Sequence, residues 1–131
     1  MKNIKTGICL ALILALSACG SVSKFPVSSV NPAANIEMRR QQDSNGNTKI
    51  TITAKNMAAA ERLTPPKKMY VVWVVLESSK VRNIGQLNSE NAKKTEMKTL
   101  VPFKFTEVFI TAEDQADISY PTGVEISRIN F

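Results

Sequence analysis

The sequence predicts an all-β domain, an immunoglobulin-like antiparallel β-sandwich of about seven strands. Short apolar or alternating segments recur along the chain, and turn residues separate them at regular spacing. The one stretch with helix propensity, residues 58–62, is limited to about a turn by Pro65 and Pro66. A series of short strands with evenly spaced turns is typical of a sandwich.

The N-terminus has the pattern of a bacterial secretion signal. A basic start and an apolar run, residues 8–16, lead to the lipobox Leu16-Ser17-Ala18-Cys19. We therefore predict that residues 1–18 are a signal peptide and that Cys19 becomes the lipid-modified first residue. The several acyl chains of a bacterial lipoprotein would make this anchor effectively permanent. Because residue 20 is glycine rather than aspartate, the sorting pattern favours the outer membrane, with the domain facing the periplasm.

Residues 19–34 have the composition of an extended tether. They are rich in Ser, Val, Pro and Ala, and they show no apolar periodicity that requires a core position. Fully extended, such a segment spans on the order of 45 Å. We therefore expect the sandwich to occupy residues 35–131, with Phe25 and Val27 as the tether side chains able to dock on it.

The first two predicted strands form a hairpin. Residues 35–42 and 49–57 flank the step Asn45-Gly46, which is among the strongest hairpin signals. In the second of these strands Ile50 and Ile52 alternate with polar residues, which indicates one buried and one solvated face. Residues 58–62 are predicted to be a loop.

The most hydrophobic segment, residues 69–77, predicts a central strand because its residues are mostly apolar, β-branched or aromatic. Trp73 in its middle is expected to be the core tryptophan of the sandwich. The same core position is expected for Phe103, Phe105 and Phe109. Residues 88–96 read as a polar loop. Four further strands are predicted, at residues 81–87, 97–101, 105–113 and 124–131.

The mature chain is mildly basic. The formal net charge of +6 falls to +4 when Lys2 and Lys5 leave with the signal peptide. The cations are scattered, acids lie between them, and aromatic residues do not interleave with them, so we do not expect nucleic-acid binding. Cys9 would also leave with the signal peptide, and Cys19 would be lipidated, so the mature protein has no disulfide to form.

The chain contains no histidine, which excludes Ser-His-Asp and Cys-His nucleophiles and the commonest zinc ligand. Ser78, Ser79 and Lys80 offer a serine-lysine pair, but adjacent residues of a strand or turn point apart. The residues therefore predict no catalytic site and no cofactor.

An acidic cluster, Glu113, Asp114 and Asp117, precedes Tyr120. Carboxylates are calcium ligands, yet the spacing is not that of an EF-hand and no glycine supplies its sharp turn. Two interpretations stay open here, a calcium site and a solvated acidic loop. Tyr70 and Tyr120 could bring hydroxyl groups to the surface, but no other chemistry-bearing residue converges on them in the sequence.

Five short motifs stand in order between residues 48 and 131. They are Leu63-Thr64-Pro65-Pro66, Tyr70-Val71-Val72-Trp73-Val74, Ile84-Gly85, Val108-Phe109-Ile110-Thr111-Ala112-Glu113 and Pro121-Thr122-Gly123. In this order they resemble the C-terminal extracytoplasmic domain of anti-sigma-K-type factors. The resemblance implies a β-sandwich that acts as a sensor or scaffold. A lipobox replaces the cytoplasmic region and transmembrane helix of those factors, so anti-sigma activity is not implied here.

Taken together, these patterns predict a non-catalytic cell-envelope lipoprotein. Its partners would be the membrane, through the anchor at Cys19, and an envelope protein or other envelope component. The alternative is a sensor module that binds a small molecule or glycan, and a third hypothesis is a cryptic enzyme. An exposed apolar patch or an unpaired edge strand would favour a protein partner, whereas a concave pocket with convergent polar groups would favour a ligand.

Overall fold

The computed structural model describes residues 20–88 and 93–131. The predicted signal peptide and Cys19 lie outside the described residues. The described chain forms eight strands, with a short 3₁₀ turn at Ala60–Arg62. The strands are β1 (Ser21–Lys24), β2 (Asn35–Gln42), β3 (Thr48–Lys55), β4 (Met69–Leu76), β5 (Val81–Leu87), β6 (Lys94–Val101), β7 (Phe105–Glu113) and β8 (Glu125–Asn130).

The strands form two four-stranded antiparallel sheets, which confirms the all-β prediction. The first sheet has the order β1-β2-β3-β6, and the second has the order β5-β4-β7-β8. The most hydrophobic segment, β4, lies inside its sheet between β5 and β7, as predicted. Three consecutive strands are neighbours in the first sheet, so the order differs from the A-B-E-D and C-F-G sheets of a constant immunoglobulin domain.

The hairpin between β2 and β3 follows from its turn residues. Gly46 has a φ of +79°, a left-handed conformation that favours glycine. The Asp43 carboxylate accepts the backbone N–H of Asn45 at 2.9 Å and of Asn47 at 2.8 Å. These contacts fix the register in which Asn35 to Gln42 face Lys55 to Thr48.

The main core lies between the two sheets. Alternate residues of β3, including Ile50 and Ile52, point inward and are fully buried. On the opposing β4 the inward residues are Tyr70, Val72 and Val74, which are also fully buried. The alternation expected for β3 is therefore confirmed, and burial of these apolar side chains is the main source of stability.

The segment assigned to a tether is largely part of the sandwich. Residues 21–24 pair with β2 along their whole length as β1, and the Phe25 side chain is buried in the main core. Ser28 and Asn31 are buried as well, and the Ser28 hydroxyl accepts the Asn31 N–H at 3.0 Å. The fold thus begins at Ser21 rather than at residue 35, because edge pairing and one aromatic side chain hold a segment that lacks its own periodicity.

Trp73 is fully buried but does not lie between the sheets, so its predicted place in the core is corrected. It points to the outer face of the second sheet, where it forms a separate cluster with Val71 and Phe109. Because β4 is buried on both faces, its continuous apolar sequence does not indicate which residues face the other sheet. Phe105 packs against the main core as predicted, whereas Phe103 is 47% exposed.

Candidate functional site

The residues of the predicted acidic cluster have separate environments. Glu113 is fully buried on the outer face of the second sheet, whereas Asp114 and Asp117 are exposed. Asp114 pairs with Lys67 at 3.5 Å. In residues 20–88 and 93–131, no three His, Cys, Asp or Glu side chains come together in a group able to hold a metal ion.

The Glu113 carboxylate is the acceptor of a buried hydrogen-bond chain. The Trp73 indole N–H donates to the Thr111 hydroxyl at 2.9 Å, and that hydroxyl donates to Glu113 Oε2 at 2.6 Å. The Thr122 hydroxyl donates to Oε1 at 2.7 Å. Indole N–H can only donate, so it directs the single Thr111 proton toward the carboxylate. The chain therefore ties β4 and β7 to the loop of residues 114–124.

Burial raises the pKa of Glu113, but hydrogen bonds to the charged form outweigh it. The donors are the hydroxyls of Thr111 and Thr122 and the backbone N–H groups of Gly123 and Thr122, and together they hold the pKa below its ordinary value. Close approach here requires glycine, because a Cβ at Gly123 would lie 1.7 Å from the Ala112 carbonyl oxygen. The oxygens of Glu113 are thus engaged in holding the loop.

The serine-lysine segment and Tyr70 do not come together in one site. Ser78, Ser79 and Lys80 form the exposed turn between β4 and β5. The Tyr70 hydroxyl is buried, donates to the Ala58 carbonyl at 2.6 Å and accepts from Asn31 at 3.0 Å. Burial raises the pKa of Tyr70, although the hydrogen bond from Asn31 lowers it.

The outer face of the first sheet is strongly basic, and no segment within residues 20–88 and 93–131 packs over it. We call this surface the basic face, defined by its outward charged side chains and two central threonines, namely Lys24, Glu37, Arg39, Lys49, Thr51, Thr53, Lys55, Lys94, Glu96 and Lys98. Val22 and Leu100 are exposed apolar side chains on the same face. Its six cations and two carboxylates give a formal charge of +4. Residues 20–131 also carry +4, the total of +6 less Lys2 and Lys5, so the rest of the domain is neutral.

The strand register determines how these charges are arranged. Arg39 faces Thr51, and Thr51 faces Lys98 on the next strand. Lys55 lies directly opposite Lys94, a like-charge pair that costs stability. Among the described residues, the one ion pair on this face joins Lys98 to Glu96 at 3.5 Å, between two exposed side chains. A shallow depression of about 370 Å³ runs across its centre.

The outer face of the second sheet differs in two ways. Its cation Arg128 forms ion pairs, and the loop of residues 114–124 covers part of the face. Arg128 forms ion pairs with Glu107 and Glu125 and stacks 4.1 Å above the Phe109 ring. The amide of Asn83 donates to the carbonyls of Ala116 and Ile118, which holds the loop over Trp73. The first sheet is therefore the one that presents an open surface.

A second feature lies where the chain enters the domain. We call it the open end, a cleft of about 1050 Å³ lined by Gly20, Ser21, Arg40, Gln41, Gln42, Gly46, Thr48, Glu77, Pro102, Phe103, Lys104 and Phe105. The guanidinium of Arg40 stacks 3.8 Å above the Phe131 ring. Its Nε is buried and has no hydrogen-bond partner in the part of the chain that the structure describes.

The basic face and the open end could not be predicted from the sequence, because both depend on how the strands pair. The alternation of Lys49, Thr51, Thr53 and Lys55 marked a solvated face, but nothing in the sequence aligned it with β6 across the sheet. The order of strands brought distant lysines together.

Comparisons with protein-family models, curated proteins and solved structures found no match to this chain. No helix within the described ranges has the length and apolar character needed to cross a bilayer. The site must therefore be interpreted from its own chemistry.

Proposed function

We propose that this chain is a non-catalytic cell-envelope lipoprotein whose β-sandwich binds an anionic envelope partner through the basic face. The observation that carries the proposal is the concentration of the domain's whole net charge on one sheet face that no described segment covers. The lipobox ending at Cys19 supports location in the envelope. The sequence resemblance to extracytoplasmic domains of anti-sigma-K-type factors agrees with a sensor or scaffold role.

The electrostatics of the basic face support an anionic protein or polymer as the partner. Lys55 opposite Lys94 is unfavourable in the free protein, and a negative group placed between them would relieve that repulsion. Arg39, Lys49 and Thr51 provide hydrogen-bond donors around the shallow depression, whereas the Thr53 hydroxyl donates to Glu96. Complementary charge of this kind increases association rates and selects against cationic partners.

The test is photo-crosslinking in cells with the full-length tagged chain. A photoreactive residue replaces Thr51, at the centre of the basic face, and in a matched strain it replaces Gln115, an exposed residue of the loop on the other sheet. We expect one dominant anionic envelope adduct from position 51 and none from position 115. The adduct should disappear in Arg39→Glu/Lys49→Glu and persist in Arg62→Glu/Lys68→Glu, which has the same net charge.

The anchor is tested in the same strains. Cys19→Ala should release the chain from membranes and abolish the adduct. Sedimentation of membranes measures how much of the variant protein leaves the membrane fraction. Equal labelling from positions 51 and 115, or an adduct that survives charge reversal of the basic face, would reject this surface as the binding site.

A further inference from the structure

We infer that the open end rests on the lipid bilayer and inserts the Phe103 side chain, flanked by Lys104, into the lipid headgroup region. The inference rests on the proposed lipidation of Cys19. It adds an orientation, in which the open end faces the membrane and the opposite end, at Tyr120, points away.

The position of the chain entry fixes this orientation. Gly20 lines the cleft of the open end, and pairing with β2 begins at the next residue, Ser21. Gly20 directly follows Cys19 in the sequence, so a lipid attached to Cys19 would be joined to the chain one peptide bond before a residue of the cleft lining. A Cβ at Gly20 would lie 2.3 Å from the Arg40 carbonyl oxygen, which shows how closely the backbone is held there. The domain therefore has no long tether with which to stand clear of the bilayer.

The surface of the open end suits a lipid interface. Phe103 is 47% exposed and Phe131 is 45% exposed, and the rings lie at the same end as Pro102 and the exposed Leu100. Aromatic side chains with neighbouring basic residues favour the boundary between headgroups and acyl chains. Lys104 and Lys80 are exposed at this end, and Glu77 is the carboxylate in the cleft lining.

The remaining exposed large hydrophobics help to define the control. Val22 lies on the outer face of the first sheet, opposite Arg39. Val27, Tyr120 and Val124 lie toward the opposite end, near the start of β2 and the end of β7. That end carries no chain entry from Cys19. Tyr120 is 69% exposed, so a probe placed there reports the aqueous environment without disturbing the core.

The experiment uses the full-length lipidated protein, purified and reconstituted into phosphatidylethanolamine and phosphatidylglycerol vesicles. A thiol-reactive environment-sensitive fluorophore is attached at Phe103→Cys or, in the matched control, at Tyr120→Cys. Vesicles that contain a quencher on the acyl chains report contact with the bilayer. We expect a blue-shifted, strongly quenched signal from position 103 and a water-like, unquenched signal from position 120. Lys104→Glu should reduce the quenching at position 103.

Two outcomes separate this inference from the proposed function. If the protein is lipidated and vesicle-bound but position 103 gives the same water-like signal as position 120, the orientation is overturned and the anchor stands. If Cys19→Ala protein is as firmly membrane-bound as the parent, both the lipid anchor at Cys19 and the orientation that follows from it are overturned.

Discussion

At Trp73, one side chain joins packing and hydrogen bonding on the outer face of the second sheet. Its ring stacks on Phe109 with centroids 6.2 Å apart, and its N–H begins the chain that ends at Glu113. Trp73→Ala should therefore reduce the free energy of unfolding by about 3 to 5 kcal/mol, the usual cost of deleting a buried tryptophan. Urea denaturation followed by circular dichroism measures this change.

The location of Trp73 gives a second, more specific readout. The loop of residues 114–124 covers the ring, so Trp73→Ala should also make this loop sensitive to limited proteolysis while the main core stays folded. The matched control is Tyr120→Ala, because Tyr120 is exposed and lies in the same loop. Equal stability of Trp73→Ala and the parent would contradict the packing of Trp73 against Phe109 and Val71.

Glu113 should make the stability of the domain depend on pH. Its folded-state pKa lies below the ordinary value of 4.5, so the ionised carboxylate stabilises the fold above that pH. This stabilisation is lost as the pH falls through the folded-state pKa. Glu113→Gln should cost about 1 to 3 kcal/mol at pH 7, since hydrogen bonds to a charged group are replaced by weaker ones.

Urea midpoints at neutral pH and at pH values below 4.5 would measure the effect. The difference between parent and Glu113→Gln should shrink as the pH is lowered. Asp114→Asn is the control, because Asp114 is exposed and its ion pair with Lys67 is solvated. A difference that stays constant with pH would mean that the charge of Glu113 is not what holds the loop.

At the scale of elements, β1 shows how an edge strand can be invisible in a sequence. Four residues, Ser21 to Lys24, have only one apolar side chain, so periodicity gives no signal. By contrast, β2, β5 and β7 begin and end where the sequence predicts, since turn residues bound β2, polar turn and loop residues bound β5, and an apolar run marks β7. The face on which Trp73 lies could not be predicted, because both faces of β4 are apolar.

A matched pair of substitutions tests whether the entry segment docks. Phe25 is 8% exposed within the main core, whereas Val27, two residues later, is 80% exposed. Phe25→Ala should reduce the free energy of unfolding by about 3 kcal/mol or more. Val27→Ala should leave it nearly unchanged, as is usual for surface positions. Thermal or urea unfolding of both variants measures the difference, and equal stabilities would indicate a free tether.

On the scale of the whole molecule, the two outer faces are electrostatically unlike. The second sheet pairs Arg128, on its edge strand β8, with Glu107 and Glu125, whereas the basic face leaves five of its six cations without a salt bridge among the described residues. Charges confined to one face create a directional field, and salt screens that field over about 10 Å at 0.1 M. The net charge can be counted from the sequence, but the face that carries it cannot be predicted, because the β3–β6 register determines which lysines lie together.

The directional field leads to a prediction about chromatography on an anionic matrix. Arg39→Glu/Lys49→Glu and Arg62→Glu/Lys68→Glu have equal net charge, but only the first pair lies on the basic face. If the face binds as a unit, the first variant elutes at distinctly lower salt than the second, which stays close to the parent. All four residues are exposed, so neither variant should change the unfolding midpoint. Identical elution of the two variants would mean that net charge alone governs binding to the matrix. The basic face would then be rejected as the recognition surface.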